Sequence, residues 1–176
     1  IEGYNKVSAD TINSNSVNEE ENVINFYYTK RNDLSYTVNY LEQGTNEKIA
    51  DSKQVGNQTF KDSVTEEAIN IPGYYAVDHI QTITIEVENN IINFYYQKRT
   101  DIEYTVEYYY DGEINEEETE KYTATFQDII EEYEDKNITG YKLDKTENLP
   151  LTISANEESN VIKVYYVKDT FKYTVE

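Results

Sequence analysis

Ile24-Asn25-Phe26-Tyr27-Tyr28-Thr29-Lys30-Arg31 returns almost letter for letter as Ile92-Asn93-Phe94-Tyr95-Tyr96-Gln97-Lys98-Arg99, and more loosely as Ile162-Lys163-Val164-Tyr165-Tyr166-Val167-Lys168-Asp169. The three copies are spaced by about 70 residues, and self-similarity at a fixed period makes each repeat one structural unit of a tandem array. A second phrase follows each copy: Tyr36-Thr37-Val38-Asn39-Tyr40, Tyr104-Thr105-Val106-Glu107-Tyr108 and Tyr173-Thr174-Val175-Glu176. In the first phrase Ile24, Phe26 and Tyr28 alternate with Val23, Asn25 and Tyr27, which predicts a strand with the first set on a core face. The split recurs at Ile92, Phe94 and Tyr96 and at Ile162, Val164 and Tyr166. Tyr27, Tyr95 and Tyr165 then fall on the outward face.

Working outward, the phrases divide the chain into the later part of one repeat (1–32), two complete repeats (33–100 and 101–168) and the start of another (169–176). Each complete repeat opens with an alternating strand, near 36–40 or 102–110, followed by a turn and a second strand. The turns sit at Glu42-Gln43-Gly44-Thr45-Asn46 and at Asp111-Gly112, a two-residue hairpin signal because both positions favour positive φ. Ser63-Val64-Thr65-Glu66 and Asp128-Ile129-Ile130-Glu131 have the spacing of helix starts, predicting one short helix per repeat, to about Asn70 and Asp135. Gly73-Tyr74 and Gly140-Tyr141 mark a return to strands. Only Thr29 to Ser35, or Gln97 to Glu103, joins a closing strand to the next opening strand, too short for a parallel crossover. The repeat boundary is therefore placed there, with the opening and closing strands of one repeat parallel in mid-sheet. The expected class is α+β: β-grasp modules with a mixed sheet and one helix each, in an elongated end-to-end array.

Composition narrows the function. Thirty-five acidic against fifteen basic side chains give a formal charge of −20, which repels nucleic acid and anionic membrane surfaces. With 19 Tyr and 5 Phe the chain is too aromatic for a charge-driven disordered segment. No apolar run is long enough to span a membrane. The chain has no Cys, so its small repeats have no disulfides, thiol nucleophile or thiolate metal site. The sequence reads as a piece of a longer protein, with any export signal or wall anchor outside it.

His79 is the only histidine and has no counterpart in the matching stretch Tyr141-Lys142-Leu143-Asp144-Lys145, so it reads as a surface residue and the chain as a non-enzyme. The acidic clusters Glu19-Glu20-Glu21, Glu116-Glu117-Glu118, Glu131-Glu132 and Glu157-Glu158 offer oxygen ligands of the kind Ca²⁺ takes. They lack the spaced pattern and central Gly of a calcium loop and read as solvated turns. The outward tyrosines Tyr27, Tyr95 and Tyr165, with Tyr109 beside an opening strand, are the ligand-binding candidates, since exposed tyrosines can stack on sugars or peptides. The competing reading is that they pack within the array.

The order Tyr36-Thr37-Val38-Asn39-Tyr40-Leu41-Glu42, Gly73-Tyr74, Ile92-Asn93-Phe94-Tyr95-Tyr96 resembles the MucBP (mucin-binding protein) repeats of Gram-positive surface proteins. The resemblance covers both complete repeats and both partial ones. It implies ubiquitin-like β-grasp units in a secreted, cell-wall-anchored adhesin, with host mucin, glycan or a host surface protein as partner. The alternative is a stalk that lifts a separate binding head above the wall, its repeats contacting only their neighbours. The second repeat departs from the pattern, with Tyr108-Tyr109-Tyr110-Asp111-Gly112 where the first has Tyr40-Leu41-Glu42-Gln43-Gly44.

Overall fold

A computed structural model describes residues 1–9 and 23–174. The chain divides into two compact units, the first formed by Ile1–Ile69 with Ala76–Tyr96, the second by Asn70–Tyr75 with Gln97–Glu176.

In the first unit, β1 (Tyr4–Lys6) pairs antiparallel with β2 (Tyr28–Lys30). The opening strand β3 (Leu34–Glu42) turns into β4 (Lys48–Gln58) as an antiparallel hairpin. Next come β5 (Ser63–Glu67) and, after β6 (Tyr74–Ala76), most of which belongs to the second unit, β7 (Ile80–Thr84), antiparallel to β5, and the closing strand β8 (Ile91–Lys98). Within this unit the main sheet has the order β4-β3-β8, and β3 and β8 run parallel from Thr37↔Ile91 to Glu42↔Tyr96. Leu34, Tyr36, Val38 and Tyr40 from β3 meet Ile92, Phe94 and Tyr96 from β8 on one buried face. Full burial of side chains this size stabilises the unit by roughly 1.5–3 kcal/mol each.

The second unit repeats the plan. Its opening strand β9 (Ile102–Tyr110) turns at Asp111 and Gly112, both at positive φ, into β10 (Glu113–Ile114), and β11 (Glu120–Ala124) pairs along the same edge. Then come β12 (Ile129–Ile130), β13 (Tyr141–Glu147), β14 (Leu151–Thr152) and the closing strand β15 (Val161–Lys168). The sheet order is β10-β9-β15-β13, with β15 parallel to β9 from Val161↔Thr105 to Tyr166↔Tyr110. Ile102, Val106, Tyr108, Ile162, Val164 and Tyr166 carry its core.

The expected helices are absent, and the described chain is β throughout apart from a single 3-10 turn at Glu157–Ser159. The α+β, helix-bearing β-grasp expectation is therefore corrected to mixed β-sheets. Ser63 to Glu67 forms β5 because Val64 and Thr65 are β-branched and the segment alternates exposed and half-buried side chains. A helix of eight residues would also lack the length to repay its nucleation. At 128–135 the like-charged Glu131, Glu134 and Asp135 lie three and four apart, which opposes a helix. Ile129 and Ile130 pair instead with Thr152 and Leu151, while Tyr133 packs on the core from an irregular segment.

A second correction concerns the first copy of the closing phrase. Ile24 and Phe26 are 60% and 48% exposed, and only Tyr28 to Lys30 is strand. The alternation needs an opening strand beside it to become a core face, and among the described residues β2 pairs only with β1.

Candidate functional site

The four tyrosines singled out by sequence have three different fates. Tyr27 is 65% exposed, ahead of β2, and its backbone carbonyl accepts from the Val7 N–H at 2.8 Å. Tyr95 is half-buried on the outward side of β8, opposite Leu41. Tyr109 and Tyr165 are register partners on β9 and β15, stacked with ring centres 4.7 Å apart. Both rings are half-buried, and charged side chains lie against them. Lys145 Nζ lies 4.6 Å from the Tyr165 ring centre and Lys163 Nζ 5.7 Å from that of Tyr109. The Tyr109 hydroxyl donates to Glu107 at 2.7 Å and the Tyr165 hydroxyl to Glu147 at 3.1 Å. The hydrogen bond to Glu107, with burial second, pushes the Tyr109 pKa up to about 12.

On the outward side of the first unit, Leu41 and Tyr95 stand at the positions of Tyr109 and Tyr165, and the next outward pair, Asn39 and Asn93, is of amides where the second unit has Glu107 and Lys163. Asn39 Nδ2 donates to Asn93 Oδ1 at 2.9 Å, the Ser52 hydroxyl donates to Asn39 Oδ1 at 2.7 Å, and Gln81 Nε2 reaches the Asn93 carbonyl at 2.9 Å. His79, as expected, is exposed. Among the described residues no group of three or more His, Asp or Glu side chains is placed to hold a metal ion, and Glu19-Glu20-Glu21 lie outside them.

Where the units agree, they agree through side chains that serve the backbone. Asn90 and Asn160 sit two residues before the core isoleucine of each closing strand and are buried. Asn90 Oδ1 accepts the Glu86 N–H at 2.8 Å while its Nδ2 donates to the carbonyls of Ser35 and Glu86. Asn160 does the same with Ser154 N–H, Glu103 and Ser154. The carbonyls of Asn90 and Asn160 accept from Thr37 and Thr105, both at 2.9 Å. The asparagines therefore tie each closing strand to its opening strand. Each unit also has a buried tyrosine hydroxyl beside a Lys–Glu pair, though at non-equivalent positions: Tyr36 donates to Glu66 at 2.5 Å, with Lys53 2.7 Å from that carboxylate. Tyr108 meets Glu120, which pairs with Lys136. Burial and then the bond to Glu66 push the Tyr36 pKa up to about 12, and Lys53, followed by Tyr36, holds the Glu66 carboxyl below its usual range.

A second recurring element is a glycine seated against a phenylalanine. In the first unit Gly3, at φ +77°, lies under the Phe60 ring, and in the second Gly73, at φ +84°, lies under Phe126. A Cβ at Gly73 would sit 2.6 Å from the ring carbons, and one at Gly3 would be at least as close. The next tyrosine crosses each ring edge to face, Tyr4 on Phe60 at 5.5 Å and Tyr74 on Phe126 at 5.4 Å. The Arg31 N–H donates to Gly3 and the Phe60 N–H to Arg31, and the same two bonds link Arg99, Gly73 and Phe126. Arg31 and Arg99 each grip the aspartate two residues on, at 2.9 and 3.0 Å.

The sequence alone did not single out Asn90, Asn160, Phe60, Phe126, Arg31 or Arg99. Their signal was positional recurrence: Thr59-Phe60-Lys61-Asp62 against Thr125-Phe126-Gln127-Asp128, and Arg-x-Asp after two closing strands. Comparison with models of known protein families found no match, and comparison with curated proteins found no significant one.

Proposed function

We propose that this chain is a non-enzymatic repeat region of an extracellular, wall-anchored surface protein of the mucin-binding-repeat type, and that its units act as tension-bearing spacers. The observation that carries this is the placement of the opening and closing strands. Each unit is threaded into the chain through β3 and β8, or β9 and β15, and these pairs are parallel neighbours across six residue pairs. Pulling back on the start of an opening strand and forward on the end of its closing strand loads all the bonds between them at once. An antiparallel pair pulled from its open end would lose them one at a time. The −20 charge supports the same reading, since it keeps such a region solvated and weakens encounter with anionic mucins. No helix among the described residues is long and apolar enough to cross a membrane.

The adhesive reading has one specific observation in its favour: Tyr109, Tyr165, Lys145 and Lys163 form an aromatic and cationic patch on the second unit. The two rings stack on each other within the unit, and the first unit has Leu41 and Tyr95 at the equivalent positions, so the patch does not recur and the shared geometry supports the spacer more strongly.

Single-molecule pulling tests the proposal. The chain has no Cys, so handles can be placed singly at Asp33 and Gln97, or at Asp33 and Asn57 on the two ends of the β3–β4 hairpin. The spacer reading predicts a markedly higher unfolding force for the first pair than for the second. Equal forces would sink it.

A further inference from the structure

The glycine–tyrosine turn occurs a third time, and there no described residue covers the glycine. Gly140 holds φ +85°, in the range of Gly3 and Gly73. The Asp169 N–H donates to its carbonyl at 2.8 Å, reproducing the bonds of Arg31 to Gly3 and of Arg99 to Gly73. Tyr141 follows it, braced edge to face on Tyr110 at 5.4 Å. Yet a Cβ built at Gly140 meets nothing within 4 Å, whereas Gly3 and Gly73 are covered by a phenylalanine ring. Gly3 and Gly73 need to be glycine on two counts, backbone and ring. Gly140 meets only the first.

We propose that Gly140–Tyr141 is an open docking socket whose occupant is the phenylalanine-bearing turn of a further repeat on the C-terminal side. The spacing of the sequence supports this choice. Gly3, Gly73 and Gly140 each precede a Tyr-Thr-Val phrase, at Tyr36, Tyr104 and Tyr173, by a nearly constant ~32 residues. In the first two cases the phenylalanine that covers the glycine comes from the turn just after the strands that begin at that phrase. The Asp169 carbonyl is the acceptor for the incoming phenylalanine N–H, as the carbonyls of Arg31 and Arg99 are for Phe60 and Phe126. A second copy of this chain is a poor occupant, because Phe60 and Phe126 are already seated. The third socket differs in one respect. Asp169 stands where the others have arginine, and its carboxylate turns to Lys142 at 3.6 Å and to the Thr170 N–H. The backbone bond to the glycine is preserved and the guanidinium clamp is missing. This inference stands on the glycine and ring geometry alone, not on the tension reading.

The test lengthens the full chain by replacing residues 173–176 with a second copy of residues 104–169, and follows glycine Hα resonances by NMR. Gly3 and Gly73, each under a ring face, serve as internal references with upfield-shifted Hα signals. In the chain as it stands Gly140 should show no such shift. In the lengthened chain it should acquire one, and Phe126→Leu in the appended copy should abolish it. In parallel, Gly140→Ala should lower the unfolding midpoint far more in the lengthened chain than in the present one. Three results would overturn the proposal: an unmoved Gly140 resonance beside a folded extra repeat, an appended repeat that stays unfolded while the rest is native, or a Gly140 shift in the present chain that grows with concentration. The last would make a second copy the occupant.

Discussion

On the outward side of the first unit, Asn39, Asn93, Ser52 and Gln81 form a ladder of amides and a hydroxyl. On the same side of the second, Tyr109 stacks on Tyr165 between lysines and glutamates. The inward sides hardly differ: Val38, Ile92 and Phe94 in one, Val106, Ile162 and Val164 in the other, none more than 1% exposed. The lesson is about which contacts a repeat must keep. Side chains that close the core or hydrogen-bond to backbone recur position by position, because a sheet with an orphaned buried carbonyl has no substitute partner. Side chains that meet other side chains at the surface can be exchanged as sets.

That contrast should break first at the buried asparagines. Asn160→Ala strands the Ser154 N–H and two carbonyls, and each buried group left unmade costs about 1–3 kcal/mol, so the second unit should lose roughly 3–5 kcal/mol. Asn90→Ala should do the same to the first unit. Chemical denaturation with probes in each unit would check both, and a loss under about 1 kcal/mol would place these residues with the exchangeable set.

Alkaline pH should separate the units next. In the second, Tyr104, Tyr108, Tyr110 and Tyr166 are all raised, with burial the largest cause each time, and Tyr109 is pushed up to about 12. In the first, Tyr36 is pushed up to about 12 and Tyr96 is raised, again chiefly by burial. A phenol whose folded pKa lies above its unfolded value of about 10 contributes stability that is complete below that pH and lost as the pH rises through the folded value. Both units should therefore weaken from about pH 10 to 12, the second more steeply. Unit-resolved NMR along a pH series would show it, and a first unit that melted earlier would contradict it.

The outward face should yield the smallest effects. Tyr165→Leu removes the stacked partner of Tyr109 and should cost the second unit about 1 kcal/mol. Asn39→Ala should cost the first unit about 0.5–1 kcal/mol, since its partners lie near water. Thermal melts resolve both. Losses as large as those at Asn90 or Asn160 would erase the distinction between the two faces.

Much of this plan was legible in the chain. The period, the alternating strands, the Asp111-Gly112 turn and the parallel pairing of opening with closing strand follow from spacing and connector length, which constrain the backbone directly. The helices failed because Ser63 and Glu66 satisfy a helix-start pattern and a period-two strand equally well, and at that length β-branched Val64 and Thr65 decide. Pairing Tyr109 with Tyr165 required the register of two strands far apart in sequence, as did placing Phe60 over Gly3. Tyr95 carries the same letter as Tyr165 and lacks its stacking partner because Leu41 stands where the second unit has Tyr109, and Tyr27 lies ahead of a strand that pairs only with β1 among the described residues.

Native-state hydrogen exchange is the most direct test of the claim that one parallel strand pair, held by a buried asparagine, is the structural centre of each unit. The amides of Thr37 and Thr105, bonded to Asn90 and Asn160, should be among the slowest to exchange, with the rest of the slow set in β3 and β8 and in β9 and β15. Slowest exchange at the outer strands β4 or β13, or at different positions in the two units, would contradict it.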